Sequence, residues 1–148
     1  MLIENKVQIE AIKTREYMAG KIDNTVMFTE GHFIVYIKEK DCLVDISKIK
    51  EFPKDGMEKY SADKIESLLK PIKLTNKALI FTGRTARLFE NKETGGRIWL
   101  DDKYIKMFNG CDFHSAGTRE QDSPIVFTRY GKVIGLVLPM RVSEDFED

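Results

Sequence analysis

The run Val133-Ile134-Gly135-Leu136-Val137-Leu138 has no polar position, so a strand built from it has no face to give to water. Such a strand must be covered on both sides, or lie at a subunit or ligand contact. Pro124 to Thr128 and Val133 to Leu138 flank Arg129-Tyr130-Gly131-Lys132, and Gly131 supplies the positive φ that a tight turn demands. The two stretches are therefore a hairpin, and its second strand belongs inside a sheet.

Upstream, Asp101 suits an N-cap because its carboxylate can accept a hydrogen bond from a free N–H of the first turn, and Asn109-Gly110 suits a left-handed stop after Phe108. A helix from Asp101 to Phe108 then carries Tyr104, Ile105 and Phe108 on one face and Asp102, Lys103 and Lys106 on the other. A short strand starting at Ile98 leads into it, and Cys111 to Ser115 forms a strand after it.

Nearer the start, Val7, Ile9 and Ala11 alternate with Gln8, Glu10 and Ile12, so Val7 to Lys13 reads as a strand with one wet face. Thr14 to Asn24 carries no decisive pattern. Thr25 to Phe28, His32 to Lys38 and Cys42 to Ile46 form a meander, and Ser47 to Lys59, with Pro53 and Asp55-Gly56, is a loop. Ser61 caps a second helix that buries Ile65, Leu68 and Leu69 and is ended by Pro71. Ala78 to Thr82 and Thr85 to Glu90 form a hairpin around Gly83, and Thr94-Gly95-Gly96 turns the chain into Arg97 to Leu100. The sum is two helices and about nine strands.

A chain of 148 residues is expected to make one domain without a metal or disulfide staple. It has no apolar run near the roughly 18 residues of a membrane helix and no signal-peptide core, so a cytoplasmic protein is expected, with Cys42 and Cys111 as reduced core thiols. The formal net charge of zero argues against a surface that grips nucleic acid all round. The charge is unevenly spread, however: residues 61 to 110 hold ten Lys or Arg against six Asp or Glu, and residues 111 to 148 hold four against seven.

Trp99-Leu100-Asp101-Asp102-Lys103-Tyr104-Ile105, then Ser123-Pro124-Ile125-Val126, then Leu138-Pro139-Met140-Arg141-Val142 together resemble the closing half-domain of the bacterial sliding clamp, the β subunit of the replicative DNA polymerase. That family closes with a helix introduced by a Tyr-Leu-containing segment, a Ser-Pro-hydrophobic strand and a terminal Met-Pro-Met-Arg-Leu. Leu79 to Leu88 is similar to a hairpin that recurs in clamp domains. The resemblance covers the last third of the chain, extends loosely over Ser61 to Glu90 and leaves the first 60 residues unmatched.

The departures are specific. A clamp subunit carries three such domains in a chain more than twice as long, so this chain supplies one and would need self-association to encircle anything. Leu138 stands for the family's first Met and Val142 for its Leu, and an acidic tail, Ser143 to Asp148, follows where the family ends.

The resemblance implies a single α+β, DNA-clamp-like domain over residues 1–148, with two helices side by side on curved antiparallel sheets. It implies a groove lined by Leu138, Pro139, Met140, Arg141 and Val142 that receives a clamp-binding peptide, a role to which Met is suited by its adaptable side chain. If the helices lie side by side, Lys64, Lys70, Lys103 and Lys106, with Arg84 and Arg87 of the hairpin, face the phosphates of double-stranded DNA. The expected function is a non-enzymatic replication accessory or clamp-like binding module, able to self-associate and needing no cofactor. The alternative is a phage or mobile-element protein that uses the fold to compete for clamp partners without touching DNA.

Catalytic readings find only fragments. Glu90-Asn91-Lys92 fits half of a metal-dependent nuclease centre, but no Asp lies between Lys64 and Phe89 to complete it. Cys111 and His114 have the spacing of half a zinc site, with only Cys42 and His32 as further soft ligands, and in one strand they point to opposite faces.

Overall fold

The computed structural model describes residues 1–117 and 123–142, so the acidic tail lies outside the described residues. Among these, four α-helices and ten strands form a single α+β domain around one mixed sheet, a class and a curvature consistent with a clamp-like fold. In chain order the elements are α1 (Ile3–Lys13), β1 (Met18–Ile22), β2 (Thr25–Thr29), β3 (Phe33–Lys38), β4 (Lys50–Glu51), α2 (Lys54–Lys59), α3 (Ala62–Glu66), β5 (Leu69–Phe81), β6 (Arg84–Asn91), β7 (Arg97–Asp101), α4 (Asp102–Met107), β8 (Asp112–Ala116), β9 (Ile125–Arg129) and β10 (Lys132–Val137). Across the sheet they run β4-β1-β2-β3-β10-β9-β8-β5-β6-β7, antiparallel except for the β1–β4 pair.

β10 lies mid-sheet between β3 and β9, as a strand apolar on both faces must. Its alternate residues feed two layers. Ile34 and Tyr36 of β3, Val126 of β9 and Leu136 of β10 pack with Phe52, Met57 of α2 and Ile65 of α3. Phe33, Val35, Phe127 and Val137 pack on the other side with Val7 and Ala11 of α1, Phe89 and Ile98, and Tyr104 and Phe108 of α4 and its end. Phe108 stacks on Phe127 with ring centroids 4.5 Å apart. The sheet curls until the segment after β10 meets β7, where Met140 N–H donates to the Trp99 carbonyl at 2.8 Å.

Several expectations are corrected. Val7 to Lys13 belongs to helix α1, because Ile3, Val7 and Ala11 recur at helical spacing and are all buried; Ile9, which completes the alternating pattern, and Ile12 point outward and are exposed. Thr14 to Asn24 contains β1, so the meander is β1-β2-β3; Cys42 to Asp45 lies between two short 3-10 turns, the second starting at Ile46, instead of forming a strand. Ser47 to Lys59 contains β4 and α2. The Ser61 helix is only the five residues of α3, and Ser61 makes no side-chain cap bond. Leu69 and Lys70 already lie in β5, and Leu68 is exposed.

Pro71 therefore sits inside a strand, at the point where β5 changes partners. Its ladder with β8 stops at Pro71↔His114, where proline has no N–H to continue it, and pairing with β6 starts at Ile72↔Asn91. The hairpin around Gly83 and the turn at Thr94 to Gly96 fall where expected, as does α4. Asp101 Oδ1 accepts from Lys103 N–H at 3.0 Å, and Gly110 has φ +86° just beyond the helix.

Asp101 also holds Arg84, whose Nε donates to Asp101 Oδ2 at 3.0 Å. The carboxylate is nearly buried, so Asp101→Ala is expected to cost about 1–2 kcal/mol from the lost cap and the stranded Arg84, while Asp101→Asn keeps the cap and costs less. Urea unfolding of the two variants measures the difference.

Candidate functional site

The six cations expected to face DNA are not gathered on one surface. Lys64 on α3 and Lys70 on β5 are exposed, but Ile65 of α3 packs in one layer and Tyr104 of α4 in the other, so the two helices lie on opposite faces of the sheet. Near α4 the cations have partners: Arg84 on Asp101, Arg87 Nη1 at 3.5 Å from Asp102 Oδ1, and Lys106 Nζ at 3.1 Å from Asp102 Oδ2. Lys103 Nζ lies 4.9 Å from the centroid of the Tyr104 ring. A phosphate backbone would have to compete with those carboxylates.

The C-terminal segment also packs on its own chain. Met140 and Val142 pack with Leu79 against the buried Ala86, Leu88 and Trp99 on the outer face of the β5–β6–β7 sheet. Leu138 N–H donates to the His32 carbonyl at 3.1 Å, leaving the Leu138 side chain about two-fifths exposed. Pro139 is half-buried and Arg141 exposed. The segment meets β7 at the single Trp99–Met140 bridge and covers a small third core.

The catalytic fragments are occupied locally. Glu90 lies 3.8 Å from Lys73, and Asn91 Oδ1 accepts from the N–H groups of Glu93 and Thr94 to shape the turn. Among the described residues no three His, Cys, Asp or Glu side chains gather as a metal site. Cys42 and Cys111 are free thiols; burial pushes the Cys111 thiol pKa up, while Arg129 Nη2, 3.9 Å from its sulfur, acts the other way.

The feature the sequence did not single out is a cleft of about 790 Å³ at the end of the sheet where β2 begins, β3 ends and the β9–β10 hairpin turns. The N-terminal end of α1, the stretch after β3 and α3 complete its walls. Its lining holds Lys38, Lys40, Arg129 and Lys132 against Glu4, Asp41, Asp63 and Glu66. One wall is fixed by an ion pair, Arg129 Nη1 donating to Glu4 Oε2 at 2.7 Å, which ties α1 to β9. On the β3 side, the Tyr36 hydroxyl hydrogen-bonds the Tyr60 carbonyl.

The lip of this cleft is apolar. Leu2, Leu43 and Tyr130 line it and are 54%, 88% and 95% exposed. Tyr130 and Gly131 form the two-residue turn with φ +53° and +76°, so a bulky side chain is held in left-handed backbone that costs of order 1 kcal/mol, with its ring in water. Gly131 was the readable half of this turn; the strain at Tyr130 carries no sequence signal.

What fold and site define together is an α+β domain with a mixed-charge, apolar-lipped cleft at one sheet end. No family model, curated protein or solved structure matches the chain. No helix among the described residues is long and apolar enough to cross a membrane.

Proposed function

We propose that this chain is a clamp-like binding module that docks a polypeptide partner in the cleft beside Tyr130, without binding DNA. The carrying observation is the Tyr130 ring, strained in its backbone, fully solvated and placed on the cleft lip, where a rigid aromatic anchors a partner at little entropic cost. The cleft's four cations against four anions suit a polypeptide of mixed charge better than a phosphate backbone, which favours a single sign. The division of the expected DNA-facing cations between two faces of the sheet, three of them paired with aspartates, supports the reading in which the fold competes for clamp partners. The docking surface proposed is thus the cleft and not the Leu138 to Val142 segment, whose Met140 and Val142 cover the chain's own Trp99.

Titration of a fluorescent clamp-binding peptide tests this. Binding is expected, weakened at least tenfold, about 1.4 kcal/mol, by Tyr130→Ala, a substitution at a solvated ring that leaves the fold intact. Met140→Ala, compared under conditions where it stays folded, is expected to change affinity less than twofold. No binding, or loss with Met140→Ala alone, overturns the proposal.

A further inference from the structure

Helix α1 buries Ile3, Val7 and Ala11, yet its outward side carries a second apolar row. Ile9 and Ile12 stand there, 40% and 69% exposed, with Asn5 one turn before them and Leu2, the extended N-cap residue 54% exposed, just ahead of the helix. This is the three-four repeat of a helix seam, in which a polar residue at one position fixes register. Lys6 and Lys13, one heptad apart, run along one side of the row, both exposed, and among the described residues neither has a carboxylate partner. Single exposed aliphatics are ordinary, but an aligned row on the solvent side of a helix whose other side is already buried marks a contact surface.

We infer that the outer face of α1 is a second docking site, which takes an acidic amphipathic helix: aliphatic side chains against Leu2, Ile9 and Ile12, carboxylates against Lys6 and Lys13. Charge selects this occupant. A second copy of α1 packed antiparallel would set Lys6 against Lys13, like charge against like, whereas carboxylates at the flanking positions complete the pairing. Leu2 and Asn5 also line the cleft, whereas Lys6, Ile9, Ile12 and Lys13 do not, so substitutions at those four positions test this site apart from the cleft.

The probe is a labelled synthetic helix with leucines on the seam and glutamates at its flanks, titrated against the full chain beside a matched peptide with lysines in place of glutamates. The glutamate peptide is expected to bind and the lysine peptide not to. Ile9→Ser with Ile12→Ser, both on the solvent side, is expected to weaken binding at least tenfold, and Lys6→Glu with Lys13→Glu to reverse the preference in favour of the lysine peptide. Tyr130→Ala is expected to leave this binding unchanged, which separates it from the cleft. Equal binding of the two peptides, no effect of the serine pair, seam-dependent binding to phosphatidylglycerol vesicles in place of the peptide, or seam-dependent self-association in sedimentation would each overturn the inference.

Discussion

Gly135→Val is expected to be the most damaging single substitution in the β10 strand, lowering stability by about 3 kcal/mol or more, with Gly135→Ala costing about 2. Gly135 pairs with Val35 on one side and Phe127 on the other, beside the register shift between Val133 and Gly135. A Cβ built there runs into Cε1 and Cζ of Phe108 and comes within 3.2 Å of the Ile34 carbonyl oxygen. Phe108 cannot step aside, since it is 2% exposed and stacked on Phe127. Because a domain of this kind is held by only about 5–15 kcal/mol, the valine variant should unfold at a much lower urea concentration. Phe108→Leu is expected to recover part of the loss in the Gly135→Ala background, a non-additivity that only a direct contact produces.

Alkaline unfolding is the second large effect. Tyr17 is buried and its hydroxyl donates to Glu10 Oε2 at 2.7 Å; Tyr36 is buried with its hydroxyl on the Tyr60 carbonyl. Burial is the first cause that raises both phenols well above the ordinary value, with the Glu10 hydrogen bond and charge adding to it at Tyr17 and the Tyr60 phenol at Tyr36. A raised folded pKa means the unfolded chain releases these protons first. The stabilisation is thus fully present below pH about 10 and falls above it by about 1.4 kcal/mol per pH unit for each group. With both tyrosines titrating, the loss is about 2.7 kcal/mol per pH unit. Urea midpoints between pH 9 and 11.5 should fall steeply for the native chain and much less for the Tyr17→Phe, Tyr36→Phe double variant. An equal slope in both would show that these two phenols do not drive the transition.

What the sequence revealed follows the physics of each segment. The hairpin around Gly131 and helix α4 were legible because glycine, an N-cap aspartate and a strand apolar on both faces are local signals with few alternatives. Helix α1 was not, because the outward Ile9, standing between Val7 and Ala11, turns a helical period into an apparent alternation. The residue that hid the helix is, with Ile12, one of the exposed aliphatics on which its outer face is read as a contact surface. Leu69 to Pro71 misled because proline usually ends a helix, whereas here it ends one ladder of a strand that changes partners.

The site was less legible than the fold. The cleft draws on α1, β2, β3, α3 and the β9–β10 hairpin, elements scattered from Leu2 to Ile134 that only the sheet order brings to one end. The segment from Leu138 to Val142 could be read as a motif, but its packing on Ala86, Leu88 and Trp99 is a tertiary contact that no local pattern displays.

Amide chemical-shift mapping with the unlabelled clamp-binding peptide, titrated into nitrogen-15-labelled chain, tests the central claim most directly. Docking in the cleft predicts that the largest shifts fall on Tyr36 to Asp41 and Arg129 to Ile134, with Trp99 and Met140 quiet. Shifts concentrated on Trp99 and Leu138 to Val142, with the cleft residues unmoved, would contradict it and return the docking surface to the C-terminal segment.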